Sequence, residues 1–267
     1  MTSLRTIRGF AFDLDGTIWA GPRLLPGAAE LVADRREAGV PVVFATNSSR
    51  YGSPAIAAAL ARLGIPAEPR EVVAAFDLTA DEVLGLMGPV PVLALGTDDL
   101  AGSLARAGHT LLPPDRWGEA RAVVVGNDPA FDYGRLRAAS RAVAAGATFF
   151  AVNLDARFPV SDGFDPGCGA LAEAVATAAR VRPIVVGKPH PKLFEEAVAR
   201  LGCPAGSAAM VGDSQASDIV GGRAAGMFTV WVAPGEDVPA LVEPDLAVDD
   251  LVELRRLWLD AGASCAR

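Results

Sequence analysis

Short apolar runs alternate along the chain with stretches of helical periodicity. The runs at Arg8–Asp13 and Val40–Thr46 are almost wholly apolar, as strands buried on both faces of a sheet should be. Between them, Pro26–Ala38 starts with Pro and is followed by Gly39, which are the start and stop signals of a helix. This strand–helix–strand order predicts an α/β protein with a largely parallel sheet.

The same alternation continues to the end of the chain. Further strands are predicted near Val92–Leu95, Ala122–Val125, Ala147–Val152, Ile184–Gly187, Ala208–Gly212 and Phe228–Val232. Helices are predicted over Ser53–Leu63, Asp98–Ala107, Tyr133–Ala145, Ala170–Ala179, Pro191–Leu201, Gln215–Ala225 and Asp249–Leu259. The expected fold class is α/β, with a doubly wound, mainly parallel sheet.

Four polar clusters each follow a predicted strand. They are Asp13-Leu14-Asp15-Gly16-Thr17, Thr46-Asn47-Ser48-Ser49, Gly187-Lys188-Pro189, and Gly212-Asp213-Ser214 with Asp218 beyond it. Ligands of parallel α/β sheets bind outside the carboxyl ends of the strands. We therefore expect the four clusters to meet in one crevice.

The first cluster places two carboxylates, Asp13 and Asp15, at the end of an extended run, where both can face the same way. Such a pair repels unless a cation lies between its members, and oxygen ligands suit a hard divalent ion such as Mg²⁺. Asp213 could complete that site with Asp13. An Asp-Gly turn that closes a strand, or acids that stabilise a helix N-terminus, would give the same pattern without function.

The other clusters offer groups that hold an anion. Thr46 and Asn47 supply a hydroxyl, an amide and backbone N–H groups just before a helix, although Thr-Asn-Ser-Ser is also ordinary loop chemistry. Lys188 is a flexible point charge suited to a phosphate or a carboxylate. Its alternative is a solvated lysine at a helix start. Asp218 could orient Lys188 or a metal-bound water.

Composition narrows the chemistry. The 267 residues carry a formal net charge of −8, which disfavours nucleic acid or an anionic membrane as the main partner. Two His and three Cys exclude a three-histidine zinc site and fit no disulfide framework. Only two of the 24 basic residues are Lys, Lys188 and Lys192, so a lysine at a strand end is notable. Met1–Thr6 lacks the features of a secretory signal, and no apolar run approaches the ~20 residues of a membrane span, so we expect a cytoplasmic protein.

Taken in order, the four clusters resemble the haloacid dehalogenase (HAD) superfamily, over nearly the whole chain from Phe10 to about Val232. The long gap before Gly187-Lys188-Pro189-His190-Pro191 is similar to the NagD-like, or 4-nitrophenylphosphatase, branch. The resemblance implies a Mg²⁺-dependent phosphatase for a small phosphorylated metabolite, and a homodimer is compatible with it.

The resemblance also implies a role for each motif residue. Asp13 would attack phosphorus to form an aspartyl-phosphate, and Asp15 would protonate the leaving oxygen and then activate water. Thr46, Asn47 and Lys188 would hold the phosphoryl oxygens. Asp13, the backbone carbonyl of Asp15 and Asp213 would bind Mg²⁺.

The interval from Thr46 to Lys188 is too long for one or two βα units of ~30 residues each, so it predicts an inserted domain. We expect a catalytic core of residues 1–78 plus 182–267 and an α/β cap of residues 79–181. Candidate substrate contacts in the cap are Asn153, Asp155 and the turn Asp165–Gly169, whose glycines could instead only shape the backbone.

Three alternative functions would require other features of the sequence. A mutase of the superfamily would need a helical cap soon after Asp15, and a carbon–halogen hydrolase would lack that second acid. A non-catalytic phospho-receiver or small-ligand binding module on the same kind of fold is the alternative from another class, and it leaves the inserted domain unexplained.

Overall fold

The computed structural model describes residues 4–160, 163–232 and 241–263. In chain order the strands are β1 Gly9–Phe12, β2 Trp19–Ala20, β3 Arg23–Leu24, β4 Val42–Thr46, β5 Val72–Ala74, β6 Pro91–Leu95, β7 Thr110–Leu111, β8 Ala122–Val125, β9 Thr148–Ala151, β10 Arg157–Val160, β11 Gly163–Pro166, β12 Ile184–Val185, β13 Ala208–Gly212, β14 Phe228–Val232 and β15 Leu246–Val248.

The α-helices are α1 Ala28–Glu37, α2 Ser53–Arg62, α3 Ala75–Met87, α4 Asp98–Arg106, α5 Tyr133–Ala144, α6 Cys168–Ala179, α7 Pro191–Leu201, α8 Val220–Ala224 and α9 Leu251–Ala263. Short 3₁₀ turns lie at Leu4–Thr6, Pro69–Glu71, Pro114–Glu119 and Ala205–Ser207. A π-helical turn, Gln215–Ile219, leads directly into α8. The helix predicted over Gln215–Ala225 is therefore split in two.

The chain divides into two compact units. The first comprises Met1–Thr46, Ser53–Val73 and Lys188–Arg267, and the second comprises Asn47–Gly52 and Ala74–Gly187. The division into a catalytic core and a cap remains a proposal, but its expected boundaries differ from those of the units. A boundary at residue 79 would cut α3, and one at 182 would separate β12 from β9, its parallel partner in the second unit.

The first unit is built on a six-stranded sheet with the order β15-β14-β13-β1-β4-β5. Strand β1 pairs in parallel with β13 and β4, and β14 pairs in parallel with β13 and β15. Counted along the chain, this is the doubly wound order 3-2-1-4-5-6, whose direction of winding reverses between β1 and β13. The expected fold class is confirmed.

Three interior strands of this sheet, β1, β4 and β13, are buried along their whole length. Phe10, Phe12 and Phe44 are fully buried. Phe10 stacks on Phe12 with ring centroids 5.6 Å apart and meets Trp258 of α9 edge-on at 4.7 Å. This packing fixes β1 and the residues that follow it.

The second unit has its own five-stranded sheet, with the order β12-β9-β8-β6-β7 and parallel pairing throughout. In sequence this is 2-1-3-4-5, the other common doubly wound order. The strand expected at Ile184–Gly187 is shorter, Ile184–Val185, and belongs to this sheet. Lys188 therefore follows a strand of the second sheet, whereas Asp13, Thr46 and Asp213 lie at strands of the first.

Candidate active site

Two acidic motifs lie where the winding of the first sheet reverses. Asp13 follows β1 and Asp213 follows β13, and these strands are hydrogen-bonded neighbours. The Asp13 N–H donates to the Val211 carbonyl at 2.8 Å, which fixes Asp13 against the neighbouring strand. Thr46 ends β4 on the other side of β1 and is buried. This is the edge at which doubly wound sheets bind ligands.

Lys188 is buried among acceptors. Its ammonium donates to Asp13 Oδ1, to Asp218 Oδ1 at 2.7 Å and to the Ala45 carbonyl at 2.9 Å. Three acceptors match the three N–H donors of an ammonium group. Lys188 is thereby held against Asp13 as a fixed charge, and it is not a solvated surface lysine.

Asp218 joins Lys188 to the loop after β13. Its Oδ1 accepts from Lys188, and its Oδ2 accepts from the Ser214 N–H at 3.1 Å. A Cβ on Gly212 would lie 2.3 Å from this carboxyl group, so only glycine leaves room for it there. Both carboxylate oxygens of Asp218 are therefore engaged within the chain, one of them by Lys188.

Gly16 has a similar spatial requirement. Its φ of 90° lies in the left-handed region, and a Cβ there would come within 2.2 Å of Asp213 Oδ2. The glycine thus brings the loop after β1 against the acid after β13. The sequence motif indicated a sharp turn but not this contact.

Carboxylate oxygens of Asp13, Asp213 and Asp218 lie within 4.8 Å of one another. Burial raises the pKa of Asp13 well above its ordinary value, the Lys188 charge opposes this, and the Asp218 charge adds to it. Burial, followed by the Asp218 charge, raises the pKa of Asp213 to about 6. Three acids and one lysine leave a net negative charge, which an additional cation would offset.

These donors fit a hard divalent cation. All are carboxylate oxygens, the ligand type that Mg²⁺ prefers. Since both oxygens of Asp218 are already engaged, Asp13 and Asp213 are the side chains best placed to act as ligands.

Asp15 is exposed to solvent, whereas Asp13 is buried. Trp19 Nε1 donates to Asp15 Oδ1 at 2.9 Å, and the Gly16 N–H donates to the Trp19 carbonyl at 2.8 Å. Desolvation of the carboxyl group raises the pKa of Asp15, and the Trp19 hydrogen bond opposes that rise. A raised pKa makes a carboxyl group a weaker acid and a stronger base, which favours its use in proton transfer.

Two tryptophans support the site and were missed in the sequence. Trp19 holds Asp15, and Trp231 Nε1 donates to the Asp213 carbonyl at 2.9 Å. The spacing of four residues between Asp15 and Trp19 was a weak signal for the first. No local pattern connects Trp231 of β14 with Asp213, because their contact depends on strand pairing.

The second unit brings together Asn47, Asn153 and Asp155. Asn153 is buried, its Nδ2 donates to the Asn47 carbonyl, and its Oδ1 accepts from the Asp155 N–H at 3.0 Å. Asn47 Nδ2 donates to Asp155 Oδ1 at 3.4 Å. Both polar atoms of the Asn153 side chain are therefore engaged within the chain, and its expected contact with substrate stays a prediction.

The expected substrate turn Asp165–Gly169 has two parts. Asp165 and Pro166 are exposed residues of β11, whereas Gly167 and Gly169 are buried. A Cβ on Gly167 would lie 2.2 Å from the Asp155 carbonyl oxygen, and one on Gly169 would lie 2.2 Å from the Leu154 carbonyl oxygen. The two glycines therefore serve close backbone packing.

Comparisons with known proteins identify the family of the chain. A family model described as haloacid dehalogenase-like hydrolase matches residues 10–110, and a HAD-hydrolase-like model matches residues 185–254. The chain is 31% identical to the 5'-nucleotidase YutF of Bacillus subtilis over 256 residues, covering 94% of this chain and 98% of the relative. It is 32% identical to an acid sugar phosphatase of Staphylococcus aureus over 255 residues, covering 94% and 97%.

The fold comparison gives the same class. The crystal structure of a 4-nitrophenylphosphatase from Thermotoga maritima superimposes with a TM-score of 0.85 at 29% identity, covering 95% of this chain and 98% of the other. The fold, the acidic site and these relatives define a phosphomonoester hydrolase. The chain belongs to the HAD superfamily, in its NagD-like, 4-nitrophenylphosphatase branch, which confirms the resemblance of the four motifs.

Among the described residues, no helix is both long enough and apolar enough to cross a membrane.

Proposed function

We propose that the chain is a Mg²⁺-dependent phosphatase that hydrolyses small phosphomonoesters through an aspartyl-phosphate on Asp13. The observation that carries the proposal is the buried Asp13 carboxylate, which is fixed by Lys188 and lies beside two further acids. A carboxylate held in this way can serve as a covalent nucleophile.

Asp13 and Asp213, with the backbone carbonyl of Asp15, would hold Mg²⁺. The ion would supply positive charge that offsets the acids and the phosphoryl group. Gly16, which gives Asp213 its space, and Trp231, which binds the Asp213 carbonyl, keep this group of ligands in place.

The chain's own residues perform two displacements. In the first, an Asp13 oxygen bonds to phosphorus, the bond from phosphorus to the leaving oxygen breaks, and Asp15 gives that oxygen a proton. In the second, Asp15 takes a proton from water, the water oxygen bonds to phosphorus, and Asp13 is released as a carboxylate with free phosphate. The raised pKa of Asp15 supports its role as acid and then base.

Thr46, Asn47 and Lys188 would hold the phosphoryl oxygens. Phosphoryl transfer depends mainly on positioning and on neutralising charge, and the Lys188 ammonium supplies such charge from a buried position. Asp218 serves this step indirectly, because its bond to Lys188 keeps the ammonium beside Asp13.

The proposed substrates are small, soluble phosphomonoesters. Relatives named as a 5'-nucleotidase and an acid sugar phosphatase make nucleoside monophosphates and sugar phosphates the first classes to test. The net charge of −8 disfavours polyanionic substrates such as nucleic-acid ends.

Phosphate release from 4-nitrophenyl phosphate, with and without Mg²⁺, tests the proposal. Steady turnover that needs Mg²⁺ is expected. A single stoichiometric phosphorylation without turnover would instead identify a phospho-receiver. A screen of phosphorylated metabolites at fixed Mg²⁺ would then rank the substrate classes by kcat/KM.

A further inference from the structure

The segment Asn47–Ser49, which includes one of the proposed phosphoryl-binding residues, is held along its backbone by other residues of the second unit. The Ser48 carbonyl accepts from the Phe76 N–H at 3.2 Å, and the Ser49 carbonyl accepts from the Asn127 N–H at 3.3 Å. The Asn47 carbonyl accepts from the Asn153 side chain. Three consecutive carbonyl groups are thus fixed by residues distant in sequence.

The Asn47 side chain is fixed as well. Its Nδ2 donates to Asp155 Oδ1, the Asp155 N–H donates to Asn153 Oδ1, and Asn153 Nδ2 donates to the Asn47 carbonyl. These bonds link the three residues in a closed ring. A Cβ on Gly187 would lie 2.5 Å from Asn47 Oδ1, so only a glycine at position 187 leaves room for the oxygen of this amide.

This ring lies at the carboxyl edge of the second sheet. Asn127 follows β8 and Asn153 follows β9, and the two strands are parallel neighbours. Such an edge is where doubly wound sheets bind ligands. Here a segment of the chain itself is bound at that edge, and the buried Asn153 is used to hold it.

We propose that Asp155 and Asn153 are positioning residues that orient Asn47 for phosphoryl binding. The inference rests on the proposed function, in which Asn47 contacts the phosphoryl group. Asp155 acts on the side-chain amide and Asn153 on the backbone carbonyl. Neither residue needs to touch the substrate.

Two substitutions at Asp155 test its side-chain contact separately from its backbone contact. Asp155→Ala removes the acceptor for the Asn47 amide but keeps the backbone N–H that binds Asn153. Asp155→Asn removes the charge and keeps an acceptor oxygen. Since a single hydrogen bond is worth roughly three- to tenfold in an equilibrium, we expect Asp155→Ala to weaken binding by about that factor and Asp155→Asn by less.

The test is competitive inhibition of 4-nitrophenyl phosphate hydrolysis by inorganic phosphate in wild type, Asp155→Ala, Asn47→Ala and the double variant. Phosphate should inhibit Asp155→Ala about three- to tenfold more weakly than wild type. In the Asn47→Ala background the same change should have no further effect, because the amide on which Asp155 acts is gone. Asp132→Ala is the matched control, since Asp132 is an exposed aspartate of the second unit that accepts from the Arg135 N–H.

Full additivity of the two substitutions, or unchanged inhibition in Asp155→Ala when Asn47→Ala weakens it, overturns the positioning role and leaves the phosphatase proposal intact. Unchanged inhibition in Asn47→Ala removes Asn47 from the phosphate site and the inference with it. If wild type neither hydrolyses the substrate nor binds phosphate, the proposed function itself fails.

Discussion

The carboxyl edges of the two sheets use buried polar groups in different ways. At the first sheet, Asp13, Asp213 and Asp218 share one cation, Lys188, and negative charge is left over. At the second sheet, Asp128 is buried, pairs with Arg135 at 2.7 Å and accepts from the Ala130 N–H at 3.0 Å.

The two edges therefore differ in whether the charge of their buried acids is matched within the chain. Acids in excess of their cations raise one another's pKa and favour the binding of a metal ion. An acid whose charge and hydrogen bonds are matched within the chain does not. Both sheets are doubly wound and parallel, so topology alone does not tell the two edges apart.

The largest expected difference between the two edges comes from neutralising one buried acid at each. We expect Asp13→Asn to lower kcat by about four orders of magnitude or more, because it removes the nucleophile and one metal ligand. Asp128→Asn at the second edge should fold and keep kcat within about threefold of wild type. Steady-state hydrolysis of 4-nitrophenyl phosphate, with circular dichroism to check folding, measures both. Equal losses in the two variants would contradict the distinction.

The chain's two lysines provide a matched pair for the next test. Lys188→Arg should lower kcat/KM by about a hundredfold or more, because a planar guanidinium cannot reproduce the three bonds of a buried ammonium. Lys192→Arg, at the second residue of the following helix, should leave the kinetics unchanged. If Lys188→Arg retained wild-type kinetics, Lys188 would not belong to the site.

Metal binding should stabilise the protein through the first edge. Saturating Mg²⁺, at about a hundred times its Kd, adds roughly 2.7 kcal/mol to the free energy of unfolding and should raise Tm by several degrees. Asp213→Asn should abolish most of this rise, and Asp128→Asn should preserve it. Thermal denaturation with and without a chelator gives the measurement. A Mg²⁺-induced rise that persists undiminished in Asp213→Asn would place the ion elsewhere.

The smallest expected effect concerns substrate preference in the second unit. Phe164 and Asp165 are exposed on β11. Replacing either by Ala should change the ratio of kcat/KM between a sugar phosphate and a nucleoside monophosphate by a few-fold, with little change for 4-nitrophenyl phosphate. A uniform loss on all three substrates would argue that these residues support the fold and do not select substrates.

Much of the first edge could be predicted from sequence because its motifs are local. Asp13, Asp15 and Gly16 lie within four residues of one another, and this group directly follows the buried strand β1. Strands β1, β4 and β13, which are buried along their whole length and almost wholly apolar, gave equally clear signals. Each of these patterns is short and independent of the rest of the chain.

What could not be predicted depends on contacts between distant residues. The role of Asn153 is set by the Asn47 carbonyl, 106 positions away. Strand β5 has three residues, too few to show a period, and it was not predicted. Helix α3, which begins directly after β5, was not predicted, and the expected boundary at residue 79 lies inside it.

The central claim, covalent catalysis by Asp13, is tested most directly with Asp15→Asn and 4-nitrophenyl phosphate carrying a labelled phosphate. The leaving 4-nitrophenolate needs no acid, so the first displacement should proceed, and loss of the base should stall the second. We predict a burst of one equivalent of 4-nitrophenol and labelled phosphate on the peptide that contains Asp13. No burst and no label in correctly folded Asp15→Asn, or label on a different residue, would contradict the account.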